Sequence, residues 1–505
     1  MERPKRTDGW QVWGVLAVGF CTSMLLSGGW REEVFFSGDG GVKLLLIKQL
    51  AHGALGTTLH LAGSPAATRL WSEGYYPFEP PFVYAVHGAH VVGFPMLFLA
   101  LTAPFFRAFG LWGLYVVPAL AVWIWAHRFH HTIRVLGVSE TSALLLVIAA
   151  TFCTPVIVYG SMFWEHSLGM ALAFAAIEYM CTFERAPKSA AVTLLYGLVA
   201  GLSVWLRPEA IVVLGVVSAV VLFMPESRRV AHRGWFVVGV CVSVVAFAAC
   251  NVALYGRPLG LHGEQAFAGL TMWRRFKKAL YHVGFLSGQE LVRDPTVVIV
   301  VAILSAWAQD RSRPIPAPVR LSALLVVTVG LVACFVPNNG GEQWAARYLL
   351  VAMPIGFVAF ALLVARPPAI AGANPRLVAV VLGAMAVFGF VQNGVLGLRQ
   401  SQSRYDCGAP AVRFLRERSA EPVLVSSAYT PQILESAMNG HPMFLCHDVA
   451  DYRHALAELR DDGFDSALTI LYTPSRDYVV RDEEATELGQ FGCFDVRERA
   501  LRAAP

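Results

Sequence analysis

Apolar runs separated by short basic clusters organise the first four fifths of this 505-residue chain. Runs able to cross the roughly 30 Å hydrocarbon core of a bilayer fall near 10–28, 111–126, 141–160, 166–183, 190–206, 209–224, 234–254, 296–308, 320–337, 346–365 and 377–395. The pattern predicts an α-helical polytopic membrane protein with about eleven transmembrane helices. A further apolar stretch, 82–109, contains Pro95 and Pro104 and has His87 and His90 near its start. Loop charge decides how to read it. If 82–109 does not cross, Arg3/Lys5/Arg6, Arg128/Arg134, Arg185/Lys188, Arg228/Arg229/Arg233, Arg311/Arg313/Arg320 and Arg366/Arg376 share one side, which the positive-inside rule makes cytoplasmic. A crossing would separate the first cluster from the others. A re-entrant or interfacial segment is therefore expected, with the N-terminus inside and the C-terminus outside.

Past residue 396 the pattern changes. Helix-like segments (Ala409–Arg418, Tyr452–Asp462) alternate with short apolar runs (Pro422–Ser426, Pro442–Cys446, Ala467–Tyr472), which predicts a small external α/β domain over 396–505. Residues 1–395 then form the transmembrane domain, with 29–81 as its first external loop. Cys407, Cys446 and Cys493 fall in the C-terminal domain, where an oxidising compartment permits one disulfide among three pairings. The other six cysteines lie in or beside apolar runs and are expected to be buried packing residues.

Composition agrees with a membrane chain: 56% of residues are hydrophobic and 15% charged. The net charge of +5 is spread over topology-like clusters rather than one stripe, which argues against a nucleic-acid partner. Residues 1–9 are basic and precede an apolar run, but no small-x-small cleavage site follows, so 10–28 is read as a retained helix. No CxxC-type spacing marks a metal site.

This topology gathers scattered polar residues on the external face. They lie in 29–81, in Tyr159–His166, in the break Leu206-Arg207-Pro208-Glu209, in 255–295 and in Pro337–Tyr348. Charges this close to a bilayer are costly unless they pair or serve a polar cavity. Asp39 stands alone in Phe35-Phe36-Ser37-Gly38-Asp39-Gly40-Gly41, read as a Gly-flanked turn. The segment 42–50 after it reads as an interfacial helix whose Lys43 and Lys48 snorkel to headgroups. Arg274/Arg275/Lys277/Lys278, interleaved with Trp273 and Phe276, is expected to rest on anionic headgroups.

Four of these segments together resemble the C-type glycosyltransferases over about residues 10–400. They are Ser37–Leu50, the Tyr75-Tyr76-Pro77-Phe78-Glu79-Pro80-Pro81 loop, Leu206–Glu209, and Gly341-Glu342-Gln343-Trp344-Ala345-Ala346-Arg347-Tyr348-Leu349-Leu350. The chain looks most like bacterial relatives of the protein O-mannosyltransferases and of the aminoarabinose transferase that modifies lipid A. The resemblance implies inverting transfer from a polyprenyl-phosphate-linked sugar to an acceptor hydroxyl of a lipid, glycan or protein. Transfer would take place at the outer face of the cytoplasmic membrane. Asp39 takes the place of the general base. Many relatives carry paired acids there, whereas this chain has Gly40, with Glu32 and Glu33 the only nearby acids.

A phosphodiester leaving group gains negative charge as its glycosidic bond breaks, so fixed cations near the phosphate favour the transition state. Arg347 and Arg207 are the donor-phosphate candidates, since a guanidinium grips phosphate bidentately and keeps its charge. Glu165, His166, Glu342 and Tyr76 are the candidates for binding sugar or acceptor. No cofactor is required by any residue pattern, and a divalent metal stays open. A lipid-linked sugar flippase would place polar residues mid-helix and repeat its halves. An oligosaccharide polymerase or ligase would carry a long late external loop, for which 255–295 is the one candidate. A membrane scaffold would work through the C-terminal domain alone.

Overall fold

The computed structural model describes residues 10–27, 34–54, 56–186, 188–223, 232–261, 263, 271–277, 317–335, 344–345, 347–365, 375–474 and 484–502. In chain order these form α1 (Trp10–Ser27), α2 (Asp39–Ala51), α3 (Pro65–Leu70), β1 (Val83–Val86), β2 (Ala89–Val92), α4 (Met96–Phe109), α5 (Gly113–Val135), α6 (Glu140–Phe152), α7 (Val156–Gly160), α8 (His166–Thr182), α9 (Ala190–Leu206), α10 (Ala210–Phe223) and α11 (Arg233–Tyr255). Then follow α12 (Ala317–Phe335), α13 (Met353–Ala365), α14 (Pro375–Gly389), α15 (Leu398–Arg416), β3 (Val423–Val425), α16 (Tyr429–Ile433), β4 (Met443–Leu445), α17 (Val449–Asp461), β5 (Ser466–Tyr472), β6 (Thr486–Phe491) and β7 (Phe494–Ala500).

Helices fall where the apolar runs predict them, apart from 296–308, which lies outside the described residues. Among the described residues, Met96–Val135 and Arg233–Tyr255 are long and apolar enough to cross a membrane. Val12–Ser27, Glu140–Phe152, Ala190–Leu206, Ala210–Phe223, Arg320–Cys334 and Met353–Val364 are shorter apolar helices. The run 141–160 is two helices, because Pro155 ends the first and starts the second. The segment 82–109 opens as the β1–β2 hairpin and only then becomes helical. His87 and Gly88, both at positive φ (50° and 78°), make its two-residue turn.

The chain forms two compact units. The first comprises Met1–Ser27, Pro95–Phe98 and Tyr115–Leu398. Its helices α9 and α11 meet at Gly197 and Gly201, where a Cβ would collide with the Phe236 carbonyl and the Ser243 side chain. That small-xxx-small spacing lets two apolar helices approach backbone to backbone. Ser139 and Ser189 cap α6 and α9 by accepting from Ser142 N and Val192 N. An aromatic core joins α5, α8 and α13, with Trp125 stacked on Phe129 at 5.5 Å and flanked by Phe174 and Phe357. Cys21, Cys241 and Cys250 are exposed rather than buried, since they sit on outward helix faces.

The second unit comprises Gly28–Phe94, Leu99–Leu114 and Arg399–Pro505, so the first loop packs with the C-terminal residues. Its five-stranded sheet runs β4-β3-β5-β7-β6, parallel among β4, β3 and β5 and antiparallel across β5-β7-β6. Helix α2 lies within this unit rather than at an interface: Gly40 to Ile47 are all buried. Lys43 therefore does not snorkel. It is 1% exposed, with Nζ 4.6 Å from the Phe94 ring centre, while Lys48 pairs with buried Glu435 at 3.0 Å. Cys407 and Cys493 form the disulfide, closing a loop of 86 residues, and leave Cys446 as a buried thiol.

Burial, with Asp451 and Asp448 nearby, pushes the Cys446 thiol up to about 12. At pH 8 only about one part in ten thousand is thiolate, the reactive form. Alkylation of the native protein at that pH should leave Cys446 unlabelled, and urea should expose it, with peptide mass mapping as the readout. Cys407 and Cys493 should label only after reduction.

Candidate functional site

Among the described residues of the first unit, a cluster of buried charge forms where α9 stops. Pro208 disfavours helical geometry at the residue before it, and Arg207 leaves the helix at φ −140° and ψ 95°. Its guanidinium turns inward and is 4% exposed. Nε donates to Glu209 Oε1 at 2.7 Å, Nη2 lies 2.6 Å from the same oxygen, and Nη1 reaches Glu165 Oε1 at 3.3 Å. Both carboxylates are nearly inaccessible. A charge so buried persists only when its partners repay its lost hydration.

Arg347 belongs to the same cluster. Its guanidinium carbon lies 5.1 Å from the Trp164 ring centre and 5.0 Å from that of Tyr348, and Nη2 donates to Tyr348 Oη at 3.2 Å. Arg207 faces the same Tyr348 ring at 4.9 Å. One aromatic ring thus serves both cations through its negative face. Arg347 is half-buried, whereas Arg207 is enclosed.

The backbone before Arg347 is held tightly. Ala345 takes φ 54°, uncommon for a residue with a side chain. Tyr159 Oη donates to the Trp344 carbonyl, and Trp344 Nε1 donates to Asn393 Oδ1 at 2.9 Å. Asn393 Nδ2 in turn donates to the Gly389 and Cys153 carbonyls at 3.1 and 3.2 Å. His166 begins α8 and lies edge-on between Tyr159 and Trp164, at 5.4 and 5.2 Å. Glu165, His166, Arg207 and Arg347 are therefore brought together in one unit. Glu342 lies outside the described residues.

Asp39 and Tyr76 belong to the second unit. Asp39 is not on a turn but is the first residue of α2, half-buried, where a carboxylate complements the helix dipole. The glycines around it serve packing: a Cβ on Gly41 would collide with the Gln432 carbonyl. Tyr76 is 9% exposed and stacks flat on His90 at 3.4 Å, between Trp71 and Phe78. Among the described residues its Oη has no hydrogen-bond partner. No group of three or more His, Cys, Asp or Glu among the described residues is arranged to hold a metal ion.

No family model and no curated protein matches the chain. Solved structures do. ArnT from Cupriavidus metallidurans bound to undecaprenyl phosphate superposes with a TM-score of 0.56 over 98% of this chain and 99% of its own, at 12% identity. The fold is that of the C-type glycosyltransferases. The apo form of the same Cupriavidus protein gives 0.51 over 92% and 98%, again at 12% identity. The Archaeoglobus fulgidus oligosaccharyltransferase in complex with zinc and sulfate gives 0.52 over 90% of this chain and 67% of its own, at 10% identity.

In this C-type fold, several residues that frame the cluster carry no recognisable signal of their own. Tyr159, Trp344 and Tyr348 lie within the segments Tyr159–His166 and Gly341–Leu350 singled out above, but no residue pattern assigns them a place beside the guanidiniums. Asn393 carries a signal of its own, being one of two adjacent amides, with Gln392, in the apolar run 377–395.

Arg207→Ala would leave Glu165 and Glu209 buried without their cation, which should cost about 3–5 kcal/mol. Thermal unfolding of the purified protein in detergent should show a large loss. Combining Arg207→Met with Glu165→Gln and Glu209→Gln should recover most of it. A triple variant no more stable than Arg207→Ala would refute the ion-pair account.

Proposed function

We propose that this protein is a membrane glycosyltransferase. It moves a sugar from a polyprenyl-phosphate-linked donor to an acceptor hydroxyl at the outer face of the cytoplasmic membrane, with inversion. The observation that carries this reading is the buried Arg207–Glu165–Glu209 lock with Arg347 beside it, at one end of the helices of a C-type fold. The similar Cupriavidus structure holds undecaprenyl phosphate, which supports a lipid phosphate as the partner here. The Cys407–Cys493 disulfide supports an oxidising side for the second unit.

The acceptor oxygen forms its bond to the anomeric carbon as the bond from that carbon to the phosphate oxygen breaks. The electron pair leaves with the phosphate, and the acceptor proton passes to the Asp39 carboxylate. General-base assistance of this kind contributes about 10²–10⁴-fold. Arg347 meets the phosphate, since it is the more accessible cation and its rings hold the guanidinium plane. Arg207 joins through Nη1, whose 3.3 Å contact to Glu165 is the longest of its three. A phosphate oxygen competes best there. Glu165, His166, Glu342 and Tyr76 bind sugar or acceptor. No cofactor is assigned.

The test is transfer from a panel of radiolabelled polyprenyl-phosphate sugars into membrane extract. Asp39→Asn should abolish transfer by at least about 10²-fold while donor binding persists, whereas Arg347→Gln should weaken donor binding. Equal transfer by Asp39→Asn and wild type would sink the base assignment. Transport of a lipid-linked sugar across vesicles without transfer would make the protein a flippase. Cysteine-accessibility labelling at positions 39 and 347 should report the same, external side.

A further inference from the structure

A second charged cluster stands at the far ends of the helices that carry the first. Glu178 lies twelve residues along α8 from His166, about 18 Å, and Tyr196 lies in the first half of α9, eleven residues before Arg207, which follows its end. Arg128 Nε donates to Glu178 Oε2 at 2.9 Å, and Nη2 contacts Glu178 Oε1 and donates to Tyr196 Oη at 2.8 Å. Tyr196 Oη closes the ring by donating to Glu178 Oε1 at 2.8 Å. The Glu178 side chain is 3% exposed, but that of Arg128 is 38% exposed. Lys188 Nζ sits 5.0 Å from the Tyr196 ring centre and donates to Thr182 Oγ1 at 3.1 Å. Arg128 pairs with Glu178 and Lys188 stands beside that pair, so these three groups together carry one net positive charge.

From this cluster an apolar groove of about 320 Å³ runs between α5, α8 and α9. Small residues on one side, Ala171 and Ala175 of α8, open it, while Ile124 and Leu195 stand exposed on neighbouring walls. Leu168 of α8, near the other end of that helix, also lines it, so the groove follows α8 for about ten residues, roughly 15 Å. Lipid tails are as apolar as such walls, so the chain alone confers no selection. Selection comes from the headgroup, and basic pockets between helices hold anionic lipid headgroups.

We infer that this groove holds a glycerophospholipid of the bilayer, one acyl chain lying along Ala171 and Ala175 and the phosphate meeting Arg128 and Lys188. The Arg128–Glu178–Tyr196 ring holds the guanidinium in place before the lipid arrives. Lys188 supplies the charge that Glu178 does not neutralise. The opposite end of α8 and α9 carries Glu165 and Arg207, so this site is separate from the proposed donor-phosphate residues. The inference needs the first unit to stand in a bilayer but does not need sugar transfer.

The experiment is native mass spectrometry of the full-length protein in detergent with added dioleoylphosphatidylglycerol. Wild type should retain one lipid adduct that Lys188→Gln weakens about fivefold, the loss expected for one basic contact. Ala175→Trp should abolish it by filling the groove. Neither change removes a hydrogen bond of the Arg128–Glu178–Tyr196 ring, and unchanged melting temperatures would show that both variants fold. Equal adducts on all three proteins would overturn the inference. So would displacement by equimolar inorganic phosphate, which would mean a free-anion site, or by equimolar undecaprenyl phosphate, which would make the groove part of the donor's route. Recovery of the protein in the soluble fraction after carbonate washing would remove the bilayer premise and overturn it as well, whether or not transfer is observed.

Discussion

The enclosed guanidinium of Arg207 is the constraint on which the first unit's architecture turns. Pro208 ends α9 one residue too early for the chain to continue as a single rod, and the turn it enforces sends Arg207 inward. Once there, the cation needs carboxylates. Glu209 supplies one from the next residue but one, and Glu165 supplies the other from the segment just before α8. The beginning of α8 and the end of α9 are thereby tied at one level. Because helices move in register along their axes, a tie at one end also sets where their other ends fall.

Tyr348 extends the same constraint to the chain entering α13. Its ring faces Arg207 and Arg347 together, and Trp164 faces Arg347 from the α8 side. Aromatic faces suit this place for a physical reason. They attract a guanidinium without neutralising it, and here the Trp164 and Tyr348 rings hold its plane. Arg207 is thus held by two carboxylates and one ring, and Arg347 faces two rings.

Much of this was legible in the sequence, and unevenly so. Helix positions followed from apolar run length, which is a direct reading of what a bilayer demands. The Leu206–Glu209 break was legible because proline acts locally. The β1–β2 hairpin was hidden in 82–109 by its own apolarity, although His87-Gly88 marks a turn. The β6–β7 hairpin escaped for the opposite reason: Thr486–Phe491 is too polar to announce a strand, and only its pairing with β7 makes it one. Lys43 shows the deeper limit. A lysine among leucines reads as a snorkelling residue, and nothing within forty residues reveals that Phe94 and the C-terminal residues enclose the helix around it. Likewise the cysteine spacing left three pairings open, because pairing depends on which backbone segments meet.

The enclosure of α2 has a consequence for how the second unit forms. Helix α2 is made early in synthesis, yet the groups that complete it come near the end of the chain: the Gln432 carbonyl against Gly41, and Glu435 against Lys48, 387 residues apart. Closing so long a loop costs chain entropy before any contact repays it. Local propensity does little to offset that cost, since Gly40 and Gly41 sit in the first turn and each lowers helix stability by about 1 kcal/mol relative to alanine. Those glycines are tolerated because only a bare backbone leaves room for the Phe35 ring at Gly40 and the Gln432 carbonyl at Gly41. The segment that carries Asp39 is thus poorly defined by its own residues and well defined by distant ones. The position of its carboxylate becomes a property of the assembled unit rather than of the loop that contains it.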